Sequence, residues 1–154
     1  MSKPILKTAL ELALRMEEES IKIYVSAQEK ALNPSSKEFL KELVKEEEDH
    51  KNKIQSALKD PEKLDDIGLP VNKIKDLRIV DYLEDVTLSP EADYQQILIY
   101  AGQREKKAHD LYIRLAKAFK GNQIRKLFIR LAEEELKHKY RIEREYDDII
   151  LKYM

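Results

Sequence analysis

The feature that most constrains this chain is an internal repeat. Slid against itself by 88 residues without a gap, the sequence places Leu10 on Leu98, Ala13 on Ala101, Tyr24 on Tyr112, Leu43 on Leu131 and Ile54 on Ile142. The same register places Glu17 on Glu105, Glu46 on Glu134, Glu47 on Glu135 and His50 on His138. Apolar matches arise whenever two amphipathic helices are put in phase. A shared Glu-x-x-His pair with a Glu 30 residues before it does not, so the polar matches point to a duplicated hairpin.

The rest of the sequence gives those hairpins helical bodies. Gly occurs 3 times and Pro 5 times in 154 residues, and 38% of the side chains are charged, a bias toward long helices. The length suits one domain over residues 1–154. Apolar residues at helical spacing predict a first helix from Pro4 to about Leu32, stopped by Asn33 and Pro34. Ser35, with Glu38 three residues on, is a candidate capping box for a second helix from about Ser36 to Leu58.

Residues 59–89 read as a connection punctuated by Pro61, Gly68 and Pro70, with one short helix from Ile74 to Val86. Ser89 and Pro90 predict the start of a third helix reaching about Lys120, with Gly121 as its stop. A fourth is expected from about Asn122 to Lys152. Two tight turns and one long connection specify an all-α four-helix bundle, two helical hairpins joined by a crossover. A 23-residue helix is about 35 Å long, a span that a connection of this length crosses easily.

Glu and His three residues apart share a helical face, so Glu47 with His50 and Glu135 with His138 can each point at one centre. Glu17 lies about as far before the first turn as Glu47 and His50 lie after it, and Glu105 stands likewise to the second turn. Six side chains therefore reach a similar depth in the core, where four unpaired carboxylates would be costly. Two divalent cations would neutralise them. Tyr24 and Tyr112, seven residues after Glu17 and Glu105, are placed to hydrogen-bond the site carboxylates or to serve as core tyrosines. Glu18, Glu19, Glu48 and Glu133 read as a solvated face, and His109, outside the motif, as a surface or interhelix residue.

Composition removes other functions. With no cysteine, thiolate zinc sites and iron–sulfur centres are excluded, so a redox metal must sit on oxygen and nitrogen. A net charge of −1 supplies no field for nucleic acid. No run reaches the roughly 18 apolar residues of a membrane span, and Met1 to Leu6 lacks a signal-peptide pattern, so a cytoplasmic location is expected.

At these motifs the chain resembles the rubrerythrin branch of the ferritin-like di-iron carboxylate family: Glu followed seven residues later by Tyr in helices one and three, and Glu-x-x-His in helices two and four. The resemblance implies two iron ions, with manganese as an alternative and zinc as an adventitious occupant. It implies that Glu47 and Glu135 bridge the metals, that Glu17 and His50 complete one site, and that Glu105 and His138 complete the other. It implies a redox enzyme acting on hydrogen peroxide or dioxygen, of peroxidase or ferroxidase type, and a homodimer is compatible with it.

There are two departures. Rubrerythrins proper carry a cysteine-ligated rubredoxin domain, which a cysteine-free chain cannot form, so electrons would come from an external donor. They also carry a further ligand glutamate one turn beyond the third-helix ligand, where this chain has Ala108. Two other functional classes fit the same residues: an iron-binding or sequestering protein without turnover, and a metal-free helical adaptor. Anaerobic iron titration followed by peroxide separates the three.

Overall fold

The computed structural model describes residues 3–60, 88–119 and 121–153. Four long helices carry them: α1 (Lys3–Ala27), α2 (Pro34–Lys59), α3 (Tyr94–Ala118) and α4 (Asn122–Tyr153). They pair as two hairpins, α1 with α2 and α3 with α4; α1 also meets α3, and α2 meets α4. The expected all-α architecture is thus observed. The short helix expected at Ile74 to Val86 lies outside the described residues. Among those residues, no helix is long and apolar enough to cross a membrane.

The helix ends differ in detail from the sequence expectation. The first turn tightens into a 3-10 segment at Gln28–Lys30 before Ala31 turns extended. Asn33, not Ser35, caps α2: its backbone is extended and its side chain accepts from the Ser36 N–H at 2.8 Å, with Pro34 in the first turn. Proline there forgoes a hydrogen bond that no partner would have made.

The third helix begins at Tyr94, four residues beyond Pro90, because Asp93 and Gln96 form a reciprocal capping box at 2.8 and 2.9 Å. Ser89 and Pro90 instead open a turn closed by the Ala92 N–H on the Ser89 carbonyl at 3.0 Å. At the far end α3 stops at Ala118, with the Phe119 N–H bonded to Leu115. Gly121 belongs to the start of α4, where its carbonyl accepts from the Arg125 N–H.

Two apolar clusters fill the bundle, one at each end. Leu10, Ala13, Ile54, Tyr112 and Leu131 belong to one; their repeat mates Leu98, Ala101, Ile142, Tyr24 and Leu43 belong to the other. That exchange is what a two-fold axis across the middle of the bundle produces. All ten are buried, which by area alone contributes roughly 1.5–3 kcal/mol for each large aliphatic side chain.

The two ends are not chemically equal. Ser36 and Tyr94 are buried and both donate to the Glu145 carboxylate at 2.6 Å, tying α2, α3 and α4 together. Their repeat mates at the opposite end are Ile124, Leu6 and Ala57, all apolar and buried in the other cluster.

Candidate metal centre

Between the two apolar clusters, the core turns polar. Glu17 on α1, Glu47 and His50 on α2, Glu105 on α3, and Glu135 and His138 on α4 are each at most 2% exposed. Two overlapping groups form, Glu17–Glu47–His50–Glu135 and Glu47–Glu105–Glu135–His138, with the potential ligand atoms of each within 4.8 Å of one another. Glu47 and Glu135 belong to both. The imidazoles stack in the middle with ring centres 5.5 Å apart.

Both histidines turn Nδ1 inward. His50 Nδ1 lies 2.7 Å from Glu135, 3.1 Å from Glu47 and 3.7 Å from Glu17. His138 Nδ1 lies 3.0 Å from Glu47, 3.7 Å from Glu105 and 3.8 Å from Glu135. Despite this crowding, Nδ1 of both histidines and at least one oxygen of all four carboxylates make no hydrogen bond. Buried polar atoms are ordinarily satisfied. Orphaned lone pairs converging from four helices are what an oxygen- and nitrogen-ligated cation would fill, so the residues present fit a pair of metal ions.

The outward-facing atoms of the same residues are held, and each hold crosses from one hairpin to the other. The Tyr24 hydroxyl donates to Glu105, and the Tyr112 hydroxyl to Glu17 at 2.7 Å. His50 Nε2 meets Glu134, and His138 Nε2 meets Glu46 at 3.3 Å. A carboxylate behind an imidazole fixes its tautomer and raises its basicity toward a metal on the other nitrogen. The repeat aligns Glu46 with Glu134 but does not mark either as part of the site. Each stands one residue before a site glutamate, and its partner lies on another helix, so spacing within one helix could not reveal it.

Electrostatics shows the strain of the cluster without metal. Burial and the neighbouring Glu47 charge push the Glu17 carboxyl up to about 8. Burial, then the charges of Glu105, Glu17 and Glu47, hold Glu135 well above its ordinary range. Burial would also raise Glu47, but the close approach and charge of His138 and His50 outweigh it and keep it ionised.

For the imidazoles burial acts downward, yet the carboxylates prevail: Glu17 and Glu47 lift His50 to about 10, and Glu105, Glu46 and Glu47 lift His138 to about 12. Burial and the Glu105 and Glu17 carboxylates push the Tyr24 and Tyr112 phenols up, so both remain donors. The metal-free cluster therefore retains protons that a cation must displace.

The neighbouring glutamates lie nearer the surface. Glu48 and Glu133 are exposed, while Glu18 and Glu19 are partly covered and pair with Lys51 and Arg104 at 3.2 and 3.7 Å. His109 is an interhelix residue whose Nδ1 meets the Ala132 carbonyl at 2.9 Å. Ala108 is buried and packs with the apolar cluster of Leu111 and Tyr112.

A family model described as Rubrerythrin matches residues 6–79 and 96–153. Among solved structures, the chain is similar to a hypothetical protein from Pyrococcus furiosus, with a TM-score of 0.72 at 21% identity over 97% of this chain and 92% of that one. That likeness speaks to the fold. No curated protein matches the chain.

Proposed function

Because the chain belongs to the rubrerythrin family, we propose that its six buried core ligands hold two iron ions and that it is a redox protein acting on hydrogen peroxide or dioxygen with an external electron donor. The observation that carries this reading is the set of orphaned carboxylate and imidazole atoms facing one another with Glu47 and Glu135 common to both groups. In a two-metal site the ions stand about 3.5–4 Å apart, a separation that shared carboxylates can span. Two ferrous ions held there would supply the two electrons that reduce a peroxide.

The chain's own residues prepare for that chemistry. Glu17, Glu47, Glu105 and Glu135 bring four carboxylates against two divalent charges, so the loaded core is close to neutral. Tyr24 and Tyr112 fix the carboxylates that belong to one group each. The apolar clusters on either side exclude water along the bundle axis, which strengthens every electrostatic contact between them. The bundle itself has no cysteine with which to carry a rubredoxin-type electron relay, so the electrons of this reading come from outside the bundle.

A second reading, iron binding without turnover, is favoured by one residue. Ala108 presents a methyl group where the rubrerythrins it resembles have a further ligand glutamate. Anaerobic ferrous titration followed by peroxide and an external reductant distinguishes the two. Repeated oxidation and reduction supports the enzyme, a single oxidation supports sequestration, and no uptake of iron refutes both.

A further inference from the structure

The two ligand groups and the carboxylates behind their histidines are related by the repeat, but the cations that hold those carboxylates are not. Behind His138, Arg141 donates to both oxygens of Glu46 at 3.0 and 2.7 Å and reaches Glu42 at 3.2 Å. Its guanidinium lies 5.7 Å from the centre of the Phe39 ring and its side chain is 34% exposed, so this pairing is partly sheltered from solvent. The repeat mate of Arg141 is Lys53, which pairs instead with Asp49 on its own helix at 2.9 Å. Behind His50, the cation nearest Glu134 among the described residues is Arg130, 3.7 Å away on a side chain that is 68% exposed.

This difference bears on how strongly each imidazole can donate. A carboxylate that accepts from Nε2–H pushes electron density toward Nδ1. One whose two oxygens already accept from a guanidinium has less to give, because charge-assisted bonds of that kind are the strong ones. The Glu46 to His138 separation of 3.3 Å is long for a hydrogen bond, as expected if Arg141 draws Glu46 away.

We infer that Arg141 makes the two metal positions unequal: by claiming Glu46 it weakens His138 as a ligand, so that the position beside Glu17 and His50 takes the first cation and the position beside Glu105 and His138 the second. Arg141 is in this sense a positioning residue, acting on a metal ligand through Glu46. The inference rests on the two-metal reading above.

The test is the partition of a limiting cation. Full-length protein is loaded anaerobically with half an equivalent of manganous ion, and anomalous diffraction reads the occupancy at each position. Equivalent sites would share the ion evenly; the expected partition is about ten to one in favour of the His50 side, the lower end of the effect of losing a partner behind a metal ligand. Arg141→Met should return the partition toward even, and Glu46→Gln, which removes the charge behind His138, should make it more lopsided. A role in packing alone would not move the partition in opposite directions.

Arg144→Gln, an exposed site on the same helix, controls for loss of positive charge and should leave the partition unchanged. An even partition in the wild type, preference for the His138 side, or no response to Arg141→Met would each overturn the inference while leaving the two-metal reading intact. Failure to bind any manganese or iron would overturn that reading itself.

Discussion

The Tyr112 hydroxyl, on α3, donates to Glu17, on α1, at 2.7 Å, while Tyr24 on α1 returns the same bond to Glu105 on α3. Each hairpin thus supplies the donor that holds the other hairpin's carboxylate. Replacing Tyr112 with Phe would leave a buried Glu17 oxygen without its partner, at a cost of about 1–3 kcal/mol. Denaturant unfolding of metal-free wild type and Tyr112→Phe should show a loss in that range. Unchanged stability would mean that the hydroxyl holds nothing.

Substitutions at the centre should separate shared from unshared ligands. His50→Ala or His138→Ala removes a group that faces one metal position, whereas Glu47→Ala or Glu135→Ala removes one common to both. Metal analysis after anaerobic loading should give about one ion per chain for the histidine variants and markedly less for the glutamate variants. Two ions retained in all four would refute the ligand assignment.

The proton content of the empty cluster predicts opposite pH trends for the fold and the metal. Glu17 rises from 4.5 to about 8 on folding, and His50 and His138 rise from 6.5 to about 10 and 12. Through pH 6 to 8 the folded chain therefore binds more protons than the unfolded one, and metal-free stability falls as pH rises. The histidine contribution is complete below 6.5 and is lost toward 10 and above. The lowered values of Glu46 and Glu47 act below about 4.5 and do not reverse this.

Metal must displace the retained protons, so its binding strengthens over the same interval. For each proton so displaced, the rise in melting temperature caused by manganous ion should be roughly 5–10 °C larger at pH 8 than at pH 6. A gain that shrinks with pH would count against protonated ligands in the empty site.

Ala108 offers a test of the missing glutamate. It is 7% exposed among apolar neighbours, so Ala108→Glu should destabilise the metal-free protein by roughly 1–3 kcal/mol. Iron should restore part of that loss if the new carboxylate reaches the site, and peroxide turnover with a fixed external donor should increase. Wild-type turnover already equal to that of a full rubrerythrin would remove the significance assigned to Ala108.

The hairpins and the six candidate ligands were legible because the repeat writes each of them twice, at fixed spacing from a turn. What spacing could not reach were contacts made between helices far apart in the chain. Glu145 receives Ser36 and Tyr94 from two other helices, and its own repeat mate is an alanine, so no internal match marked it. Glu46 and Glu134 were matched but look outward on their own helices. The third helix is opened by the pair Asp93 and Gln96 rather than by Ser89 and Pro90 because that pair satisfies two backbone groups reciprocally.

Each metal-sized group takes three of its four members from one hairpin and the fourth from the other. On the ribosome, α1 and α2 emerge long before Glu135, so a nascent chain carries an incomplete set until α4 has been made. Its lone Glu-x-x-His helix would hold a passing cation weakly and release it. Under the two-metal reading, commitment to a metal would thereby be deferred to the folded molecule, whose geometry rather than whichever ion arrives first during synthesis would decide what is kept.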